Sequence, residues 1–90
     1  MALALVIEMD YPIDYSLYST EEIVEIIDFL HQVELHHNSN DTKQQQALLK
    51  QYTTFSNIIN NKAEEKTIDQ AFEKQTGVSI YRTIKAFKEA

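Results

Sequence analysis

The sequence predicts an all-α fold: a compact array of about four helices preceded by an irregular N-terminal arm. Three observations carry this expectation. The 90 residues include one Gly and one Pro, too few for the many tight turns of a sandwich or barrel. Apolar residues recur at helical spacing in four separate stretches. Each stretch follows a residue type that caps helix N-termini. An apolar fraction of 43 % fits a globular chain rather than a disordered one. The length fits one domain, here residues 11–90. Residues 1–10 read as an apolar N-terminal extension, either disordered or an upstream addition.

The arm comes first. Pro12 pushes Tyr11 toward extended backbone, and Pro12 to Tyr18 should carry Ile13, Tyr15, Leu17 and Tyr18 onto the bundle. The first helix should begin after Ser19, because Ser19 and Glu22 have capping-box spacing. Its apolar stripe is Ile23, Ile26, Ile27, Leu30 and Val33, widened by Val24 and Phe29, and it should fade near His36 and His37. The second helix should start near Asp41, with Gln44 as a weaker capping-box partner, and bury Leu48, Tyr52, Phe55 and Ile59. Asn60-Asn61 should end it, with Asn61 capping the third helix toward Glu64. The third helix shows a small apolar face of Ala63, Ile68, Ala71 and Phe72. Gly77 should terminate it, since glycine tolerates the left-handed backbone of a helix C-cap. Ser79 should cap the fourth helix, with Ile80, Ile84 and Phe87 inward.

The net charge of −6 conceals a segregation. Residues 1–42 hold nine acidic and no basic side chains, and residues 43–90 hold eight basic and five acidic ones, so the halves carry −9 and +3. The first reading of this is a mutual electrostatic match between halves of one domain. The second is an acidic surface offered to a partner. Cysteine is absent, which excludes disulfides, thiolate metal sites and cysteine nucleophiles. No apolar run approaches the ~20 residues of a membrane span, and the opening residues lack the basic start of a signal peptide. The expected location is the cytoplasm, without membrane contact.

Four motifs in order resemble a known family. They are Tyr11-Pro12-Ile13-Asp14, then Ser19-Thr20-Glu21-Glu22-Ile23-Val24, then Lys62-Ala63-Glu64-Glu65-Lys66, and finally Phe72-Glu73 with Gly77 and Tyr81-Arg82. The pattern is similar to that of UPF0223, small uncharacterised proteins of Gram-positive bacteria, from about Tyr11 to Lys88. The resemblance implies an all-helical cytoplasmic protein and no established biochemical function. The chain departs from the family pattern at Tyr18, where Trp is usual, and at Asn60-Asn61, where Pro-Ser is usual. Both positions concern caps and packing.

Candidate chemistry is sparse. Asp28 with His31, and Glu34 with His37, have the i, i+3 spacing of di-iron bundles, but both pairs lie on one helix. His36 and His37 are accounted for by the helix dipole. No metal or cofactor is therefore expected. Glu34 shares a side with Ile27 and Leu30. It should either reach water from a frayed end or accept a bond from Lys66, Arg82 or a backbone N–H. Glu64 falls toward the Ile68–Ala71 face, where a tertiary ion pair is the preferred account. The fourth helix presents Tyr81, Arg82, Lys85 and Lys88 on one side. A helix-turn-helix across Gly77 is opposed by Glu73, where that motif takes a small residue, and by Thr83, where it takes a large apolar one. A single glycine excludes dinucleotide and P-loop fingerprints.

The sequence thus predicts a non-enzymatic protein–protein interaction module. Its contact residues are Glu21, Glu25 and Asp28 on the first helix and Tyr81, Arg82, Lys85 and Lys88 on the fourth. Ser19, Glu22, Glu34, Glu64 and Gly77 act structurally. The partner's identity is not encoded, and a homodimer is compatible with so thin a core. Two alternatives stand behind this reading: nucleic-acid binding through the basic helix face, disfavoured by the net negative charge, and a metal-dependent enzyme using Glu34 and the histidines.

Overall fold

A computed structural model describes residues 11–89. Within them a 3-10 turn at Tyr15–Leu17 precedes four α-helices: α1 (Thr20–His36), α2 (Thr42–Ile59), α3 (Lys62–Thr76) and α4 (Ile80–Glu89). The expected extension at residues 1–10 lies outside the described residues.

Each boundary has a local cause. At α1 the capping box closes both ways: the Glu22 N–H donates to Ser19 Oγ at 3.2 Å and the Ser19 N–H to Glu22 Oε1 at 2.9 Å. Asp41 caps α2 by accepting from the Lys43 N–H at 2.9 Å. The reciprocal reach expected of Gln44 is absent: the Asp41 N–H donates to Ser39 Oγ at 3.1 Å, and Gln45 Nε2 donates to the Ser39 carbonyl at 2.9 Å. Asn60 ends α2 in the left-handed region at φ 50°, where Asn is tolerated because its short amide bonds locally. Asn61 then accepts from the Glu64 N–H at 3.1 Å to open α3. Gly77 closes α3 at φ 81°, and Ser79 opens α4 by accepting from the Arg82 N–H at 3.2 Å.

α1 lies chiefly along α2, and α4 lies chiefly on α2 with smaller contacts to α3 and α1. Between them sits one apolar cluster built on Ile26, Leu30, Phe29, Phe55, Phe72 and Ile80. Phe29 and Phe55 stack at 4.9 Å between ring centroids, within the range where aromatic pairs add to plain burial. The arm contributes Tyr11 and Ile13 to this cluster, and the Tyr11 ring lies 5.8 Å from Phe72.

Three apolar expectations are corrected. Val24 does not widen the inward stripe of α1; it is 61 % exposed, because at 100° per residue it falls opposite Ile26, Leu30 and Val33. Leu17 of the arm is 60 % exposed, turned outward by the 3-10 turn. Ala63 is exposed in the first turn of α3. The face that α3 buries is instead Glu65, Ile68, Asp69 and Phe72.

Candidate functional site

That buried face of α3 contains two carboxylates, and both accept hydrogen bonds from groups outside α3. Glu65 is 2 % exposed. Its Oε1 accepts from the Tyr52 hydroxyl at 2.9 Å and from the Tyr81 hydroxyl at 3.4 Å. Its Oε2 accepts from Ser56 Oγ at 2.9 Å and lies 3.7 Å from Lys62 Nζ. One acid thus ties α2, α3 and α4 together. Burying it would be costly alone, and the donors offset that cost. Asp69 performs a second junction. Its Oδ1 accepts from the Ile80 N–H at 2.6 Å and its Oδ2 from Ser79 Oγ at 3.3 Å, so a side chain of α3 caps α4. Among the described residues every fully buried side-chain N or O atom has a partner.

These phenols are donors, not nucleophiles. Burial, followed by the hydrogen bond to Glu65, raises the Tyr52 phenol above its ordinary value. Burial and the Glu65 charge push Tyr81 up to about 12. Both therefore keep their protons throughout the neutral range.

Glu34 behaves in the same way. Neither of its expected fates holds: it accepts the Tyr11 hydroxyl at 2.5 Å, joining the arm to α1. The Tyr11 phenol is raised by burial and then by this contact. Glu64 is corrected too. It is half-buried and makes no ion pair among the described residues; the acid engaged across helices is its neighbour Glu65. The signal was present in the sequence, since Glu65, Ile68, Asp69 and Phe72 follow i, i+3, i+4, i+7 spacing.

The contact residues expected on α4 divide into two sets. Tyr81, Lys85 and Lys88 line one depression of about 280 Å³ with Tyr52, Ile84 and Glu89. Lys88 Nζ stands 5.9 Å from the centroid of the Tyr52 ring, within reach of a cation–π interaction. Arg82 is not with them. It points to the other side, where Nη1 meets Glu73 Oε2 of α3 at 3.2 Å. A second hollow of about 210 Å³, lined by Ser56, Asn57, Asn60, Asn61, Lys62 and Glu65, touches the same buried acid.

On α1, Glu21, Glu25 and Asp28 are exposed as expected. Asp28 Oδ2 accepts from Gln51 Nε2 at 2.8 Å. The expected mutual match between acidic and basic halves is corrected. The ion pairs of the described residues, Lys62–Glu65 and Arg82–Glu73, both fall within the second half, since the exposed Arg82 reaches Glu73 of α3 and the exposed Lys88 reaches the Tyr52 ring of α2 rather than α1. No group of three His, Asp or Glu side chains among the described residues could hold a metal ion, and no helix among them is long and apolar enough to cross a membrane.

A small all-helical protein with a buried carboxylate bonded by tyrosines from two neighbouring helices, and a lysine-flanked hollow above it, is the class that this fold and site define. A model of an uncharacterised family, UPF0223, matches residues 8–90, slightly beyond the four motifs at both ends. The chain belongs to the UPF0223 family. Relatives include a UPF0223 protein of Bacillus pumilus, 43 % identical over 92 % of this chain and 90 % of the relative. One from Streptococcus uberis is 41 % identical over 89 % of this chain and 84 % of the relative. No solved structure matches. The motif residues of the sequence meet in space: Glu65 meets Tyr81 and Lys62, Glu73 meets Arg82, and Tyr11 packs on Phe72.

Proposed function

We propose that this protein is a non-enzymatic interaction module of the cytoplasm, and that it takes an acidic segment of a partner protein in the hollow beside α4. The supporting observation is the pair Lys85 and Lys88. Both are exposed, and no carboxylate forms an ion pair with either among the described residues. Between them and the core lie the rings of Tyr52 and Tyr81 with the side of Ile84. The hydroxyls of both rings are held by Glu65, so the aromatic floor is fixed before anything binds. Rigid aromatics beside steering charges are the ingredients of a small contact surface. The converging polar groups of the interior act as hydrogen-bond donors to carboxylates, which suits a scaffold rather than a reaction centre.

Fluorescence anisotropy with labelled Glu- and Asp-rich peptides that carry one apolar anchor tests this reading, beside single-stranded RNA of equal length. Wild type should bind the peptides, and a Lys85→Glu/Lys88→Glu variant should lose about tenfold or more in affinity. RNA bound in preference to every peptide, with a steep salt dependence, would replace this reading with the nucleic-acid one. Peptide affinity that is unchanged in the variant would remove the hollow from it.

A further inference from the structure

The outer face of α1 carries a second pattern that the core does not use. Val24 and Leu35 are 61 % and 58 % exposed. Val24, Asp28, His31 and Leu35 follow i, i+4, i+7, i+11 spacing, so they lie within about 60° of one another on the helix wheel. That stripe is opposite the buried Ile26, Leu30 and Val33. A shallow hollow of about 300 Å³ opens on it, lined by Val24, Ile27, Asp28 and His31. Single exposed apolar residues are ordinary on a surface; two on one stripe, beside a hollow, mark a candidate contact face.

The same helix is polarised along its length. Glu21, Glu22, Glu25 and Asp28 occupy its N-terminal part; its C-terminal part carries His31 and His36, with Glu34 turned to Tyr11 and His37 at the C-cap. We infer that this face binds a second copy of the chain, with the two α1 helices antiparallel about a two-fold axis between positions 29 and 30. In that register Val24 meets Leu35 of the partner and Asp28 meets His31 of the partner, and symmetry repeats each contact. Acidic ends then face histidine ends, and the helix dipoles run opposed. A parallel pair would set acid against acid along its first two turns. Self-complementarity of both kinds, apolar and polar, selects the second copy over an unrelated partner. The α4 hollow takes no part, so this inference stands apart from the reading above.

The chain contains no cysteine, which makes cross-linking unambiguous. Val24→Cys and Leu35→Cys proteins, each folded by circular dichroism, are oxidised separately and as a mixture. The mixture should give a 24–35 cross-linked dimer. Each variant alone should give little, because like positions lie about 16 Å apart along the pair, beyond the ~7 Å that a disulfide spans. Val24→Cys linking to itself as readily as to Leu35→Cys overturns the register. Sedimentation equilibrium supplies the second arm. Wild type should dimerise, and Asp28→Lys and His31→Glu should each dissociate about tenfold more readily. Their mixture should recover association, since the introduced lysine and the introduced glutamate then face each other across the interface, while the unaltered His31 of one copy faces the unaltered Asp28 of the other. A wild type that stays monomeric at millimolar concentration, or a mixture that recovers nothing, overturns the inference. Lys85→Glu/Lys88→Glu should dimerise like wild type.

Discussion

The Glu65 carboxylate sits out of water in the first turn of α3, and three hydroxyls with one lysine make that tolerable. Removing the acid orphans its donors. Glu65→Ala should lower stability by about 2–4 kcal/mol in urea unfolding, and Tyr52→Phe, which leaves one acceptor short, by about 1–2 kcal/mol. The tyrosines also set an alkaline limit. Tyr11, Tyr18, Tyr52 and Tyr81 are all raised above the ordinary phenol value of 10.0, each chiefly by burial. A phenol raised in the folded state favours folding fully below pH 10, and that contribution is lost as pH climbs through the folded value, about 12 for Tyr81. Stability should therefore fall from about pH 10 upward, and a phenolate titration at 295 nm should be delayed and steep, coinciding with loss of helix. The helix wheel shows that Glu34 shares a side with apolar residues, yet not that Tyr11 meets it, because 23 residues separate the two. The spacing of Glu65 with Ile68, Asp69 and Phe72 marks its face, yet an acid there reads as an interruption of the stripe until its donors are known. Those donors come from α2 and α4, and no pattern along α3 reveals them.

At the scale of elements, helix ends are more legible than helix faces. Ser19, Asn61, Gly77 and Ser79 mark boundaries through bonds to residues a few positions away, so the chemistry is local and readable. Ser19→Ala should cost about 1 kcal/mol through loss of the capping box. Gly77→Ala should cost about 1 kcal/mol as well: an added Cβ meets nothing within 4 Å, and the cost is the left-handed backbone at φ 81°. Asp69→Ala should exceed both, at about 2–3 kcal/mol, because it leaves the buried Ile80 N–H and the Ser79 hydroxyl without their acceptor. Thermal melts of the three variants, ranked against wild type, check the order. Val24 shows where the reading of faces fails. Its apolar character groups it with Ile26 and Leu30, although the wheel sets it opposite them.

Across the whole molecule, the acidic first half has no cationic ion-pair partner in the second among the described residues, and its exposed Glu21, Glu25 and Asp28 repel one another across solvent. Screening should relieve that repulsion. Raising NaCl from about 10 mM to about 500 mM should therefore raise the melting temperature, whereas a fold held by bridges between its halves would melt earlier. The segregation of charge is legible in the sequence. Its meaning is not, since only the packing shows that Arg82 and Lys88 of α4 reach α3 and α2 rather than α1. The chain has five Tyr and no Trp, and three of those phenols hand their hydrogen to a carboxylate. A phenol so bonded sheds its excited-state energy by passing its proton to the acceptor. The native protein should thus be dim near 305 nm and brighten as it unfolds, which gives this chain an intrinsic lamp that reports folding without any label.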